Sequence, residues 1–246
     1  MDVLDYFTEE QKQFYREAMQ LLEKHKMPYL IGGAFAIQHY TGIYRNTKDL
    51  DMFCKAGDYQ ELLKIFSREG YQVEVTDSRW IAKVFKDDYF IDVIFNTTNH
   101  LCAVDDSWFE NARQGEFLNC PVRVVAPEDL IWCKTYIQDR GRYDGADVNH
   151  LLLKASKEID WKRLLERLDQ HWHLLLGKLL NFQFVYPADR DLIPRWLFDE
   201  LLERAKDQFD LPPSENKVCM GPVIDHSSYA IDIKEWNYKS LTLYTT

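Results

Sequence analysis

No stretch of this chain approaches the roughly 18 to 20 uninterrupted apolar residues that a membrane helix requires, which sets aside a helical membrane protein. The acidic start, Met1-Asp2-Val3-Leu4-Asp5, lacks the basic and apolar layout of a signal peptide, so a cytoplasmic location without membrane partners is expected. Cysteine is sparse: Cys54, Cys102, Cys120, Cys133 and Cys219 are odd in number, scattered and never spaced Cys-x-x-Cys. That pattern excludes a disulfide framework and a zinc knuckle, and free thiols are expected. Positive charge is also short, with 30 Lys and Arg against 40 Asp and Glu for a net charge of −10. A surface that traps nucleic acid everywhere is thereby excluded, whereas a local basic groove or a small anionic substrate is compatible. Low-complexity segments and internal repeats are absent.

What is present is ample apolar material, 46% of 246 residues, enough to build one large domain or two small ones. A helix is expected to start at Thr8-Glu9-Glu10-Gln11, a capping-box arrangement, and to end by Pro28. A short buried strand over 29–31 runs into Gly32-Gly33, and a second helix covers 34–40. Residues 49–53 alternate polar and apolar, which predicts a strand with Leu50 and Met52 toward the core and both aspartates on the other face. An amphipathic helix over 59–69 stops at Gly70, and strands follow over 71–75, 80–85 and 89–95, with one or two more in 117–125. From Pro127 the pattern turns helical, over 128–138, 146–155, 161–168, 172–184 and 196–209. The aromatic residues of this half stand at helical spacing and are expected in the core. Two domains are predicted, 1–126 and 127–246, the second with an irregular tail from Pro212.

Chemistry concentrates in the first half. Two glycines between a strand and a helix let backbone amides approach a phosphate, with the positive end of the helix aimed at it. Asp49 and Asp51, two apart on one strand, place two carboxylates side by side, a donor set suited to Mg²⁺ with water and phosphate oxygens as further ligands. Asp92 lies in Phe90-Ile91-Asp92-Val93-Ile94-Phe95, where an ionised carboxylate is costly unless paired or metal-bound, and a metal shared with Asp49 and Asp51 would meet that cost. Other groups are weaker. His171 and His173 are two apart on a helix and do not face together, and His226 beside Ser227 and Ser228 has no activating acid.

Gly-Gly, a helix, Asp-x-Asp on a strand and a lone Asp on a later strand resemble the pattern of the DNA polymerase beta-type nucleotidyltransferase superfamily. Within it, Arg45-Asn46-Thr47-Lys48-Asp49-Leu50-Asp51 is similar to the Arg-x-Thr-x-Asp-x-Asp element of small bacterial transferases related to abortive-infection toxins and antibiotic-modifying enzymes. The likeness covers residues 30 to 95 and extends loosely to 150. There Pro127-Glu128-Asp129-Leu130, Lys134, Arg140, Arg142, Asp144 and Asp147 resemble a helical element of those relatives, with Tyr143 where they often carry Lys.

The resemblance implies an α/β (α+β) fold: a mixed-sheet nucleotidyltransferase domain flanked by helices, then a mostly helical C-terminal domain. It also implies an enzyme that moves a nucleoside monophosphate from an NTP, ATP among the candidates, to a hydroxyl, releasing pyrophosphate with Mg²⁺ as cofactor. Asp49, Asp51 and Asp92 would be catalytic and metal-binding; Gly32, Gly33, Arg45, Thr47, Lys48 and Lys134 would bind the nucleotide. An RNA end, a protein hydroxyl and a small molecule are all compatible acceptors, and an antitoxin-like protein partner fits the toxin relatives. A basic groove across Lys134, Arg140, Arg142 and Lys154 would favour RNA, whereas a closed acidic pocket would favour a cationic small molecule. The alternative is a non-catalytic module of this fold that binds nucleotide, RNA or a partner protein.

Overall fold

The computed structural model describes residues 7–45 and 47–240. Its backbone gathers into two compact units, Met1–Ala126 and Pro127–Thr246. Among the described residues, no helix is long and apolar enough to cross a membrane.

In the first unit, α1 (Glu9–Lys24) buries Phe14, Tyr15, Ala18, Met19 and Leu22 along one stripe. Thr8 caps it, its hydroxyl accepting from the Gln11 amide N–H at 3.1 Å. The expected reciprocal half of the capping box is absent. Gln11 instead turns its side chain inward, donating to the Tyr15 hydroxyl at 2.9 Å and to the Lys48 carbonyl at 3.4 Å. The helix also ends before Pro28, capped by His25, with Lys26 at φ 54° reversing the chain.

The strands β1 (Leu30–Ile31), β2 (Asp49–Phe53), β3 (Gln72–Asp77), β4 (Ile81–Lys86), β5 (Tyr89–Ile94), β6 (Arg113–Phe117) and β7 (Cys120–Val124) form one mixed sheet in the order β3-β4-β5-β2-β1-β7-β6. β2 runs parallel to β5 and β1 parallel to β7, while the other neighbours are antiparallel. Helices α2 (Gly33–Thr41) and α3 (Tyr59–Arg68) bury Phe35, Ala36 and Ile37, and Leu62, Leu63, Ile65 and Phe66.

Two elements of this unit carried no readable period. Helix α4 (Asp106–Asn111) buries only Trp108, and β6 buries only Phe117. The segment expected as a strand over 117–125 is the turn and second arm of a hairpin, reversed by Leu118 and Asn119 at φ 53° and 61°.

The second unit is built from α5 (Pro127–Thr135), α6 (Gly145–Lys154), α7 (Trp161–Arg167), α8 (Trp172–Val185) and α9 (Arg195–Asp210). Its core takes Leu130, Ile131, Val148, Leu151, Leu152, Leu164, Leu175, Leu179, Phe182, Leu197 and Leu201. The aromatic expectation needs correcting. Phe182 is buried, but Phe184, two positions on and so off its face, is 84% exposed, and Phe209, at the end of α9 beyond the buried Leu197 and Leu201, is 91% exposed. The irregular tail contains α10 (Ala230–Lys234) and a parallel pair, β8 (Val218–Cys219) with β9 (Lys239–Ser240).

Candidate active site

The turn between β1 and α2 rests on β2. The Gly32 amide donates to the Asp51 carbonyl at 3.0 Å, and Gly33 adopts φ +55°. A Cβ on Gly33 would lie 1.6 Å from Asp51 Oδ2, and one on Gly32 would lie 2.2 Å from the Phe53 ring. Both positions therefore exclude side chains, Gly33 on conformational grounds as well. The consequence is a backbone turn and helix N-terminus set directly against a carboxylate.

Leu50 and Met52 are sealed at 0% exposure, so Asp49 and Asp51 occupy the opposite face of β2. In the parallel β2–β5 register Asp51 stands opposite Asp92 and Asp49 opposite Phe90. Neighbouring strands lie about 4.8 Å apart, so the three carboxylates share one small area of sheet. The Thr47 hydroxyl donates to Asp49 Oδ1 at 2.6 Å and orients it. On the other side of β5, Lys83 of β4 stands in register with Asp92. Its Nζ lies 2.5 Å from Asp92 Oδ1 and 4.1 Å from the centre of the Phe90 ring.

Asp92 is 9% exposed, and burial pushes its carboxyl above the ordinary range; Lys83 opposes that rise and the charge of Asp49 adds to it. Tyr15 reports the same field from below. Burial raises its phenol far above the usual value, the Gln11 hydrogen bond opposes the rise, and Asp49, Asp51 and Asp92 all add to it. Its hydroxyl accepts from Gln11 and donates to the Phe90 carbonyl at 3.5 Å.

These residues suit a divalent ion. They offer hard carboxylate oxygens from adjacent register positions on one face, with the Gly33 backbone packed directly against the Asp51 carboxylate. Among the described residues no three His, Cys, Asp or Glu side chains already converge as a metal cage. In this arrangement Lys83 engages Asp92 and offsets part of the cost of its buried charge.

Of the residues singled out in the sequence, the fold brings Gly32, Gly33, Thr47, Asp49, Asp51 and Asp92 together. Arg45 and Lys48 are exposed in the loop before β2, and Asn46 between them lies outside the described residues. Lys134 belongs to the second unit, where its Nζ lies 2.6 Å from Asp144 and 2.8 Å from Asp147 and is almost fully buried. Arg142 also pairs with Asp144, at 2.9 Å. Sequence reasoning missed Lys83, Tyr15 and Gln11. A lysine inside the otherwise apolar Ile81-Ala82-Lys83-Val84-Phe85 was a usable signal, equivalent to that of Asp92. His171 and His173 form no metal pair: His171 Nδ1 meets the Tyr136 hydroxyl at 2.7 Å, and His173 stacks on Trp172.

Comparison with known proteins agrees with the motif. A family model described as "Uncharacterised nucleotidyltransferase" matches residues 8–177. Solved structures with similarity include the lincosamide antibiotic adenylyltransferase LnuA with lincomycin bound, at 19% identity over 58% of this chain and 96% of that one, TM-score 0.41. The antibiotic-resistance factor ANT(2'')-Ia is 16% identical over 81% and 95%, TM-score 0.41. JHP933 from Helicobacter pylori is 14% identical over 82% and 98%, TM-score 0.38. No curated protein matches significantly. The family match covers well over half of the chain, which belongs to this nucleotidyltransferase family.

Proposed function

We propose, with membership of that family as the premise, that the chain transfers a nucleoside monophosphate from an NTP to a hydroxyl of a small molecule, with Mg²⁺ held by Asp49, Asp51 and Asp92. The observation that carries this reading is the register that sets Asp51 beside Asp92 while the Gly33 backbone lies against Asp51. Mg²⁺ bound there would offset charge on the transferring phosphoryl group and on the leaving pyrophosphate.

The chain's own residues do the rest. The N-terminus of α2, which begins at Gly33, would present its positive end to the triphosphate, while the Gly32 amide holds the turn to β2 through the Asp51 carbonyl. Thr47 fixes the Asp49 carboxylate, and Arg45 and Lys48 supply positive charge near the leaving group. The acceptor oxygen bonds to the α-phosphorus as the bond to the bridging oxygen of the β-phosphate breaks. Its proton passes to Asp92.

A small acceptor, rather than RNA, is supported by one cation of the candidate basic groove: Lys134 is buried between two carboxylates and is not set out for a phosphate backbone, whereas Arg140, Arg142 and Lys154 are exposed. A net charge of −10 points the same way and suits a cationic acceptor. Cytoplasmic residence fits five cysteines of which none forms a disulfide, and the supply of NTP.

The test uses each NTP labelled at the α-phosphate, Mg²⁺, and a panel of hydroxylated small molecules, RNAs and proteins. Labelled small-molecule product with matching pyrophosphate release, lost in Asp51→Asn, is the expected result. Transfer that persists in Asp51→Asn would overturn the assignment of the carboxylates, and labelled RNA or protein would overturn the acceptor class.

A further inference from the structure

Lys83 offers a feature that the transfer scheme does not use. It is an ammonium delivered by a third strand, in register with the carboxylate of Asp92, and its Nζ is 2.5 Å from Oδ1. The two side chains are 23% and 12% exposed, so the pair is shielded from most solvent screening. Register partners share a face of the sheet, so the lysine side chain lies on the side that carries Asp92, and its ammonium is 4.1 Å from the centre of the Phe90 ring, a second favourable contact. Phe90 is itself opposite Asp49 in the β2–β5 register.

An ammonium and a divalent ion cannot both hold the same lone pairs of a carboxylate oxygen. A cation that takes the Oδ1 lone pair held by Lys83 must displace it, and one that binds any other lone pair of Asp92 lies close to a fixed positive charge. Either way the lysine opposes the metal while compensating Asp92 when the metal is gone.

We infer that Lys83 is a resident counter-ion that holds Asp92 until a divalent cation arrives and then competes with that cation, so that it weakens metal binding and ties it to delivery with the nucleotide's own negative charge. This rests on the carboxylate assignment proposed above. Lys83 is therefore a positioning residue: it sets where the Asp92 oxygens point and how readily they accept a metal, without touching substrate.

Four consequences are measurable. In Lys83→Met, Mn²⁺ followed by paramagnetic resonance without nucleotide should bind about tenfold more tightly than in wild type, about 1.4 kcal/mol. Lys83→Arg should restore the weaker binding, and in an Asp92→Asn background Lys83→Met should have no effect on Mn²⁺. A purely structural role would lower the melting temperature but would not tighten metal binding. In the wild type, which needs no folding control, reductive methylation of the Lys83 amine should accelerate when Mn²⁺ and nucleotide are added together.

Unchanged or weaker Mn²⁺ binding in a folded Lys83→Met overturns the inference and leaves the carboxylate reading standing if wild type still binds metal with nucleotide. Should Lys83→Met fail to fold, a methylation rate insensitive to metal overturns the inference in the same way. Absence of metal binding in wild type, with and without nucleotide, overturns both.

Discussion

Among the described residues, acidic groups gather half-buried in the first unit and fully buried in the second, and the two groupings are built on opposite principles. In the second unit Glu128, Asp129, Asp144 and Asp147 are met by Arg163, Arg167, Lys134 and Arg142. Arg163 donates from one nitrogen to both oxygens of Asp129, at 2.7 and 2.6 Å, and from another to Glu128, both acids being 0% exposed. Glu128 also accepts the amide of Asp160 at 2.5 Å, which ties α5 to the start of α7. In the first unit three aspartates occupy neighbouring register positions, and β4 brings a single ammonium to them. Matched charge of this kind locks helices together, whereas acids clustered beside a side-chain-free turn make a place for an incoming cation. The Gly33 turn belongs to one cluster alone and separates the two designs.

Substitutions can break or sharpen that contrast. The largest effect is expected at the first cluster and in activity alone. Asp51→Asn should lower nucleotide transfer by about a thousandfold or more, equivalent to about 4 kcal/mol, with little change in melting temperature. The reverse is expected at the second cluster. Arg163→Ala leaves Glu128 and Asp129 buried without their shared guanidinium and should cost about 3–5 kcal/mol in urea unfolding. Equal effects of the two substitutions on stability would erase the distinction drawn here.

Gly33→Ala is intermediate. It forces a Cβ into the space of Asp51 Oδ2 at a left-handed backbone position and should destabilise by about 1–3 kcal/mol while reducing transfer, as measured by unfolding and by product formation.

The smallest effect is in acid. Burial pushes Asp144 upward, but Arg142 and Lys134 more than offset it, so its carboxyl lies below the ordinary 3.8. A depressed carboxylate contributes stability that is present above 3.8 and lost as pH falls through the folded value. Wild type should therefore lose part of its stability margin over Asp144→Asn below that pH, read from melting temperatures across a pH series.

The first cluster was far more legible in the sequence than the second. Asp49 and Asp51 alternate with Leu50 and Met52, and Asp92 interrupts an apolar strand, so two-residue periodicity located all three. The turn glycines stood out because few residues can replace them there. By contrast, Lys134 resembled a phosphate ligand because a charge on a helix reads as exposed. Its burial is set by Asp144 and Asp147, ten and thirteen positions away in sequence and on the far side of an intervening turn. Helix α5 is buried on nearly every side, charges included, and so carried no amphipathic stripe to read.

Local chemistry thus determined the strands, most helices, the Gly-Gly turn and the identity of the acidic residues, because each depends on neighbours within a few positions. Strand order and pairing depend on contacts distant in sequence, and only the folded sheet fixed them. That order set Asp51 beside Asp92 across 41 residues and delivered Lys83 to Asp92 through the β4–β5 hairpin. In the second unit the packing of helices, equally invisible to local pattern, commits Lys134, Arg142 and Arg163 to carboxylates.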